Sequence, residues 1–448
     1  EEINAYDSIV NQVNFTGGER TFQSNDRDYF TKRWTHHLNL NAKLFDRIRF
    51  NGDFSYQNQE RKFEDFVYDI PSRIEISREH ENVYLSTKTF YSRGTFSNFL
   101  DKKLFDFQIG YELENNSGFA NAFATDFAYG NENVDKEIGT YAGFASAEIN
   151  TNVGLSFRPG FRASFSNEFK SQFSYSLNTK YNLTEHSNIR AVIGTANRFP
   201  DYVELYTFQV DSNHNIQGDP NLIPEKGYST SIQWSNRTRT DNFKMTNNIS
   251  TLYLDVDDRI ELVQLNPPNA TYKFLNIDKF KSWGISTDHQ LKWRDLNVNL
   301  GASVFGISKS LLSASYGVDN SIEDEYRYTL QVNASVNYTI PNWRTTFSAY
   351  YKYNGKSTQY QPDFENSTNT QTVYKLVETE GFNMLDASIR KGFYKDRFEV
   401  TLGVRNIFDV TNINQNSING QGHSGGSSDL NLFYGRSYFL KLNYNLEF

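Results

Sequence analysis

Few side chains in this 448-residue sequence are placed to do chemistry: seven histidines, two acidic runs and a set of aromatics in polar segments, with no cysteine. The acidic runs are Asp255 with Asp257 and Asp258, and Glu323 to Glu325. They carry the hard oxygen ligands that calcium takes but lack the fixed spacing of a calcium loop, so they read as solvated charge. His36 and His37 are adjacent, and on a strand they face opposite sides and cannot chelate one metal together. Hydrolysis needs a nucleophile or a carboxylate pair with an oriented histidine base, and neither G-x-S-x-G nor H-E-x-x-H occurs. No enzyme, catalytic residue, metal centre or cofactor is therefore expected. The aromatics offer a different chemistry: Tyr202, Tyr206, Phe208, Tyr360, Tyr374, Phe433 and Tyr434 could line a vestibule for catecholates, a corrin or sugar rings. Tyrosines and phenylalanines at strand ends also serve as girdles at a membrane interface.

The elements that must position these residues are read from composition and alternation. The chain has a net charge of -8 and 37 Phe, 29 Tyr and 5 Trp. No linker or composition shift divides it, and no run of apolar residues is long enough for a transmembrane helix. A transmembrane β-strand needs only about ten residues of alternating polarity, and such a chain scores hydrophilic overall. Alternation is clean in three places: Leu296, Val298, Leu300, Ala302 and Val304 oppose Asn297, Asn299, Gly301 and Ser303; Phe398, Val400, Leu402 and Val404 oppose Glu399, Thr401, Gly403 and Arg405; Tyr438, Leu440, Leu442, Tyr444, Leu446 and Phe448 oppose Lys441, Asn443, Asn445 and Glu447.

Connections sort into two kinds. Short turns fall at Asp46 and Arg47, Leu100 to Lys103, Asn150 to Asn152, Thr184 to Ser187, Arg239 to Asn242, Arg294 and Asp295, Pro341 to Trp343, and Tyr394 to Asp396. Long polar segments fall near 60–82, 118–137, 198–225, 309–323, 358–380 and 408–434. Long and short alternate, which is the asymmetry of an outer-membrane barrel with short periplasmic turns and long extracellular loops. The expected fold class is all-β, a transmembrane antiparallel β-barrel. Residues 33–448 form the barrel, and the polar residues 1–32 form an extracellular loop or an early barrel strand.

The long segment from Arg198 to Glu225 reads RFPDYVELYTFQVDSNHNIQGDPNLIPE. Arg198, Pro200, Glu204, Leu205, Tyr206, Gly218, Pro220, Asn221, Leu222, Pro224 and Glu225 resemble the signature of TonB-dependent outer-membrane transporters, with Asn197, Phe199 and Asp219 as departures. DVDDRIEL at Asp255 to Leu262, GVRNIFD at Gly403 to Asp409 and a C-terminal strand ending on Phe448 fit the same family. The resemblance implies uptake of a small-molecule ligand across the outer membrane of a Gram-negative bacterium by a multi-pass barrel in outer-membrane lipid. Its energy would come from TonB-ExbB-ExbD acting on an N-terminal plug. About seventeen strands are countable from Trp34, against 22 in the family, so the plug and the first strands are expected outside this sequence. An iron-siderophore or similar chelate is the expected ligand. The alternatives are haem, cobalamin, oligosaccharide or peptide, or a barrel that does not transport and serves as an adhesin or scaffold. A surface lipoprotein is a further expected partner, and nucleic acid is not. Haem transporters of the family carry a histidine between the two halves of the signature, where His214 stands, with His423 in a second long loop as its conceivable partner.

Overall fold

The computed structural model describes residues 5–9, 13–16, 19–45, 47–80, 82–100, 104–120, 134–195, 197–210, 215–265, 271–310, 325–363, 366–368, 373–414, 429–431 and 433–445. Its body is one antiparallel meander in which each strand pairs with the next. In chain order these are Glu19–Leu44 (β1), Ile48–Asp69 (β2), Asn82–Ser97 (β3), Phe105–Ala120 (β4), Val134–Asn150 (β5), Leu155–Ser166 (β6), Gln172–Thr184 (β7), Ser187–Thr195 (β8), Lys226–Arg239 (β9), Phe243–Leu265 (β10), Thr271–Trp293 (β11), Leu296–Ser310 (β12), Arg327–Ile340 (β13), Thr345–Asn354 (β14), Phe382–Phe393 (β15), Phe398–Arg405 (β16) and Ser437–Tyr444 (β17). Five short ribbons join the same 22-stranded sheet: Ala5–Ile9, Val13–Thr16, Ile74–Arg78, Phe208–Val210 and Asn215–Gln217. No helix among the described residues is long and apolar enough to cross a membrane, which is silent about a barrel.

The meander arises because each strand alternates and each short turn forces an antiparallel return. In β17, Tyr438, Leu440, Leu442 and Tyr444 all stand exposed on one face, as the alternation predicts, while Leu446 and Phe448 lie outside the described residues. The register places Leu402 opposite Leu440, and Val400 opposite Leu442, so apolar side chains continue as rows from strand to strand. On the other face, polar groups satisfy one another. Arg162 pairs with Glu112 at 2.8 Å, Arg390 with Glu399 at 2.8 Å, and Asn299 donates to Ser335 at 3.0 Å. One surface therefore suits lipid and the other suits water or a polar filling.

Strand boundaries differ from the alternation in two places. The charged segment 60–82 is mostly strand: β2 runs on to Asp69 and returns through Ile74–Arg78. Strand also begins at Glu19, well before Trp34. Both differences share a cause, because charges there are paired across strands, as in Arg27 with Asp65 at 2.5 Å and Arg78 with Asp28 and Glu64 at 2.7 Å. Alternating apolarity is needed only where a wall meets lipid, so a strand that continues above the membrane shows none. β10 and β11 have 23 residues each, a rise of roughly 55–60 Å at ordinary tilt against an apolar band of about 25 Å.

Candidate functional site

The segment after β8 turns into a single helical turn, Tyr202–Tyr206 (α1). Asp201 caps it by accepting from the Glu204 amide at 2.8 Å, and the Glu204 carboxylate accepts from the Asp201 amide at 2.8 Å. This capping box is legible in the sequence as Asp-x-x-Glu, although the segment reads as an irregular loop. The same Glu204 carboxylate receives a fork from the Arg198 guanidinium, at 2.8 and 2.9 Å, and Arg198 also reaches Glu225 at 2.5 Å. Backbone bonds join Arg198 and Glu225 in both directions, at 3.2 and 2.9 Å, so the two ends of the long segment are closed on each other. Burial opposes the charge on Arg198, but the bonds to Glu204 and Glu225 outweigh it and hold the guanidinium above the ordinary arginine range.

The second half of the signature is folded under the first. Gly218 donates to the Thr207 carbonyl at 2.6 Å and Asp219 to the Glu204 carbonyl at 3.0 Å. A Cβ at position 218 would lie 2.6 Å from the Leu205 carbonyl carbon and oxygen and 2.7 Å from the Tyr206 nitrogen, which only glycine tolerates. Gly218→Ala is expected to lift this half of the segment away from α1, at a cost of about 1–3 kcal/mol for overpacking, read as faster amide exchange at residues 216 to 222. Exchange unchanged from the parent would mean the contact is not maintained. Asp219, a departure from the family signature, forms an ion pair with Lys273 at 3.0 Å. Burial raises its pKa, but the Asn221 amide and Lys273 more than offset this and hold the carboxyl below the ordinary aspartate range.

Beneath these polar bonds lies an apolar core of Ile138, Tyr202, Leu205, Leu222 and Ile260. Residues of two distant strands complete it. The Ile260 amide donates to Glu225 at 2.9 Å, and the Asn276 side chain both accepts from the Ile223 amide and donates to its carbonyl at 2.9 Å. Only strand register brings β10 and β11 to this point: Ile260 lies in the DVDDRIEL segment that the resemblance marks, whereas no local signal marks Asn276. Beside the clasp, a cavity of about 540 Å³ is lined by Glu112, Glu114, Asn116, Arg162, Gln172, Arg198 and Tyr202. Burial, followed by the nearby Asp135 and Tyr206, pushes the Tyr202 phenol up to about 12.

The other aromatics are dispersed. The Tyr206 ring packs at a tilt against Tyr202, with ring centroids 5.2 Å apart. Tyr374 is buried with Ile277 and Phe280, donates to the Gln264 carbonyl at 2.9 Å, and has Tyr360 packed beside it under the Arg327 guanidinium. Phe433 rests on Phe382, and Tyr434 is fully exposed. The backbone of Phe208 lies in a short ribbon, and its side chain is outside what is described. His214 and His423 lie outside the described residues. Among the described residues no cluster of three or more His, Asp or Glu could hold a metal.

An antiparallel barrel wall with a polar inner face, carrying a clasped loop over an inner cavity, defines a class of membrane receptor. The family profile described as TonB dependent receptor-like, beta-barrel matches residues 3–407, and the chain belongs to that family. Among solved structures it is similar to the FrpB iron transporter from Neisseria meningitidis (F3-3 variant), at TM-score 0.63 and 15% identity, over 95% of this chain and 64% of that one. It is similar also to the siderophore receptor PirA from Pseudomonas aeruginosa, at TM-score 0.56 and 14% identity, over 94% of this chain and 73% of that one. The copper transporter OprC gives TM-score 0.58 at 13% identity, over 94% and 65%. These likenesses establish the fold, and the chain spans just under two thirds of the FrpB chain's length. No curated protein sequence matches it.

Proposed function

We propose that this chain is the barrel wall of an outer-membrane transporter of a Gram-negative bacterium that takes up a scarce small molecule, an iron-siderophore or similar metal chelate. The observation that carries the reading is the receptor-barrel match over residues 3–407. The neighbours named as an iron transporter, a siderophore receptor and a copper transporter favour a metal-bearing cargo over a sugar or peptide. In this reading the loop aromatics Tyr206, Tyr360 and Tyr434, dispersed over three segments, offer the ligand-facing groups, and Arg198 with Glu204 and Glu225 holds the signature loop in shape.

The wall also needs further strands. Among the described residues β17 has one neighbour, and β1 beyond Phe30 pairs only with β2. Two bare edges are untenable in lipid, so additional strands close the barrel, and a plug preceding them transmits the pull of TonB-ExbB-ExbD. The test separates binding from uptake. Cells expressing the full-length protein are expected to bind a radiolabelled ferric catecholate with or without proton-motive force but to accumulate it only when the force is intact. Undiminished accumulation after its collapse would make the barrel a passive pore.

A further inference from the structure

The outward face is not apolar throughout. Strand register aligns Asn236, Asn247, His289 and Leu300 as one row across β9 to β12, and Leu300 stands exposed on the lipid side. The neighbouring rows carry Trp234, Ile249 and Thr287 above it and Thr238, Met245 and Leu291 below it. His289 shares its face with Trp293, four residues nearer the short turn and paired with Phe243, and with Trp283, six residues nearer the long loops and paired with Tyr253. Aromatic pairs at those two heights mark the two interfaces of the bilayer, so the polar row crosses the hydrocarbon between them.

Hydrocarbon offers these side chains no hydrogen bond. The His289 Nδ1 lies 2.8 Å from the Asn247 Oδ1, and since an amide oxygen only accepts, the ring donates there and keeps Nε2 as an acceptor. Among the described residues this bond leaves the two hydrogens of the Asn247 Nδ2 available, and the Asn236 amide, whose oxygen takes the Thr238 hydroxyl at 3.4 Å, brings two more. An ionisable ring and two amides at this depth are costly against lipid, and such groups stand where they meet protein or water. Water is on the other side of the wall. The strands that close the barrel join it at β1 and β17, far along the sheet from β9 to β11, and so leave this face uncovered.

We propose that the outward face of β9 to β11 is the contact between two copies of this protein in the outer membrane, related by a twofold axis along the membrane normal through Asn247. The occupant is a second copy because rotation about the normal keeps every residue at its depth, so the polar row of one copy meets polar groups at the same level. A primary amide is also its own complement, donor to acceptor. Asn247 meets its mate, with the donors of Asn236 and the acceptor of His289 on either side of that pair. This contact rests on the membrane fold alone and is independent of transport. The test places the photo-cross-linker p-benzoylphenylalanine at Ile249, two residues from Asn247 on the same face of β10, in the full-length protein in intact cells. Illumination is expected to give a covalent dimer of the protein, and the same label at Leu402 on β16 none. The His289→Leu, Asn247→Leu pair is expected to weaken the dimer about ten-fold or more, read from the monomer and dimer fractions of the purified protein by native mass spectrometry. Leucine suits a wall that meets lipid, so this variant assembles whether or not the face is a contact, and loss of dimer reports the contact itself. Dimer fractions equal in the parent and the paired variant would overturn the proposal, as would label at Ile249 that joins another protein or none.

Discussion

A Leu300→Arg protein is expected to lose folded barrel, migrating as the unfolded species on unheated gels and unfolding in lipid at a lower urea concentration than the parent. Leu300 is 48% exposed, pairs with His289 and Ala334, and stands four residues above the short turn that begins β12. At ordinary strand rise and tilt that is about 10 Å into the apolar band, close to its middle, where an arginine costs roughly 2–4 kcal/mol. The neighbouring position supplies the control. Asn299 faces the other way and donates to Ser335, so Asn299→Arg places its charge among polar groups and is expected to assemble nearly as the parent does. Unchanged urea midpoints for both variants would mean that neither face of β12 meets lipid.

Truncating Leu205 is expected to have the second large effect, confined to the clasp. The side chain is 2% exposed and packs with Ile138, Tyr202, Leu222 and Ile260. Leu205→Ala removes buried methyl groups from a site closed on all sides, at a cost of about 2–5 kcal/mol. That exceeds what the surface ion pairs return, because the Arg198 side chain is 41% exposed and such pairs are screened. Limited proteolysis should then cut between Arg198 and Glu225 much faster than in the parent, while heat resistance of the barrel stays unchanged. Cleavage at the parental rate would show that the ion pairs hold the loop without its apolar core, and high salt would then release it.

Much of this could be read before any coordinates. Sites of alternation such as Leu296 to Val304 carry their fold locally, since period-two polarity and a two-residue turn at Arg294 and Asp295 leave an antiparallel hairpin as the simple outcome. The boundaries of the long segments did not carry over. Residues 60–69 are strand because their charges pair laterally, Asp65 with Arg27 and Glu64 with Arg78, and lateral pairing leaves no periodic trace in one strand's sequence. The candidate site divides in the same way. Arg198, Glu204, Gly218 and Glu225 were marked by the resemblance to the transporter signature, whereas Tyr374, grouped with the vestibule aromatics, sits in a buried cluster, and burial depends on which strands stand beside it.

By itself the sequence determined the repeating strand-and-turn plan, the sorting of long from short connections, the outward apolar face of the wall and the location of the signature loop. Those properties are one-dimensional: they depend on what lies one, two or a few residues away along the chain. Only the tertiary structure decided that Arg198 bridges two glutamates 6 and 27 positions away, that Asn276 holds Ile223 from 53 positions away, and that His289 meets Asn247 on the outward face of β10 and β11. Each of these depends on the register between strands. Register is the sum of many weak lateral choices, so no single stretch of sequence contains it.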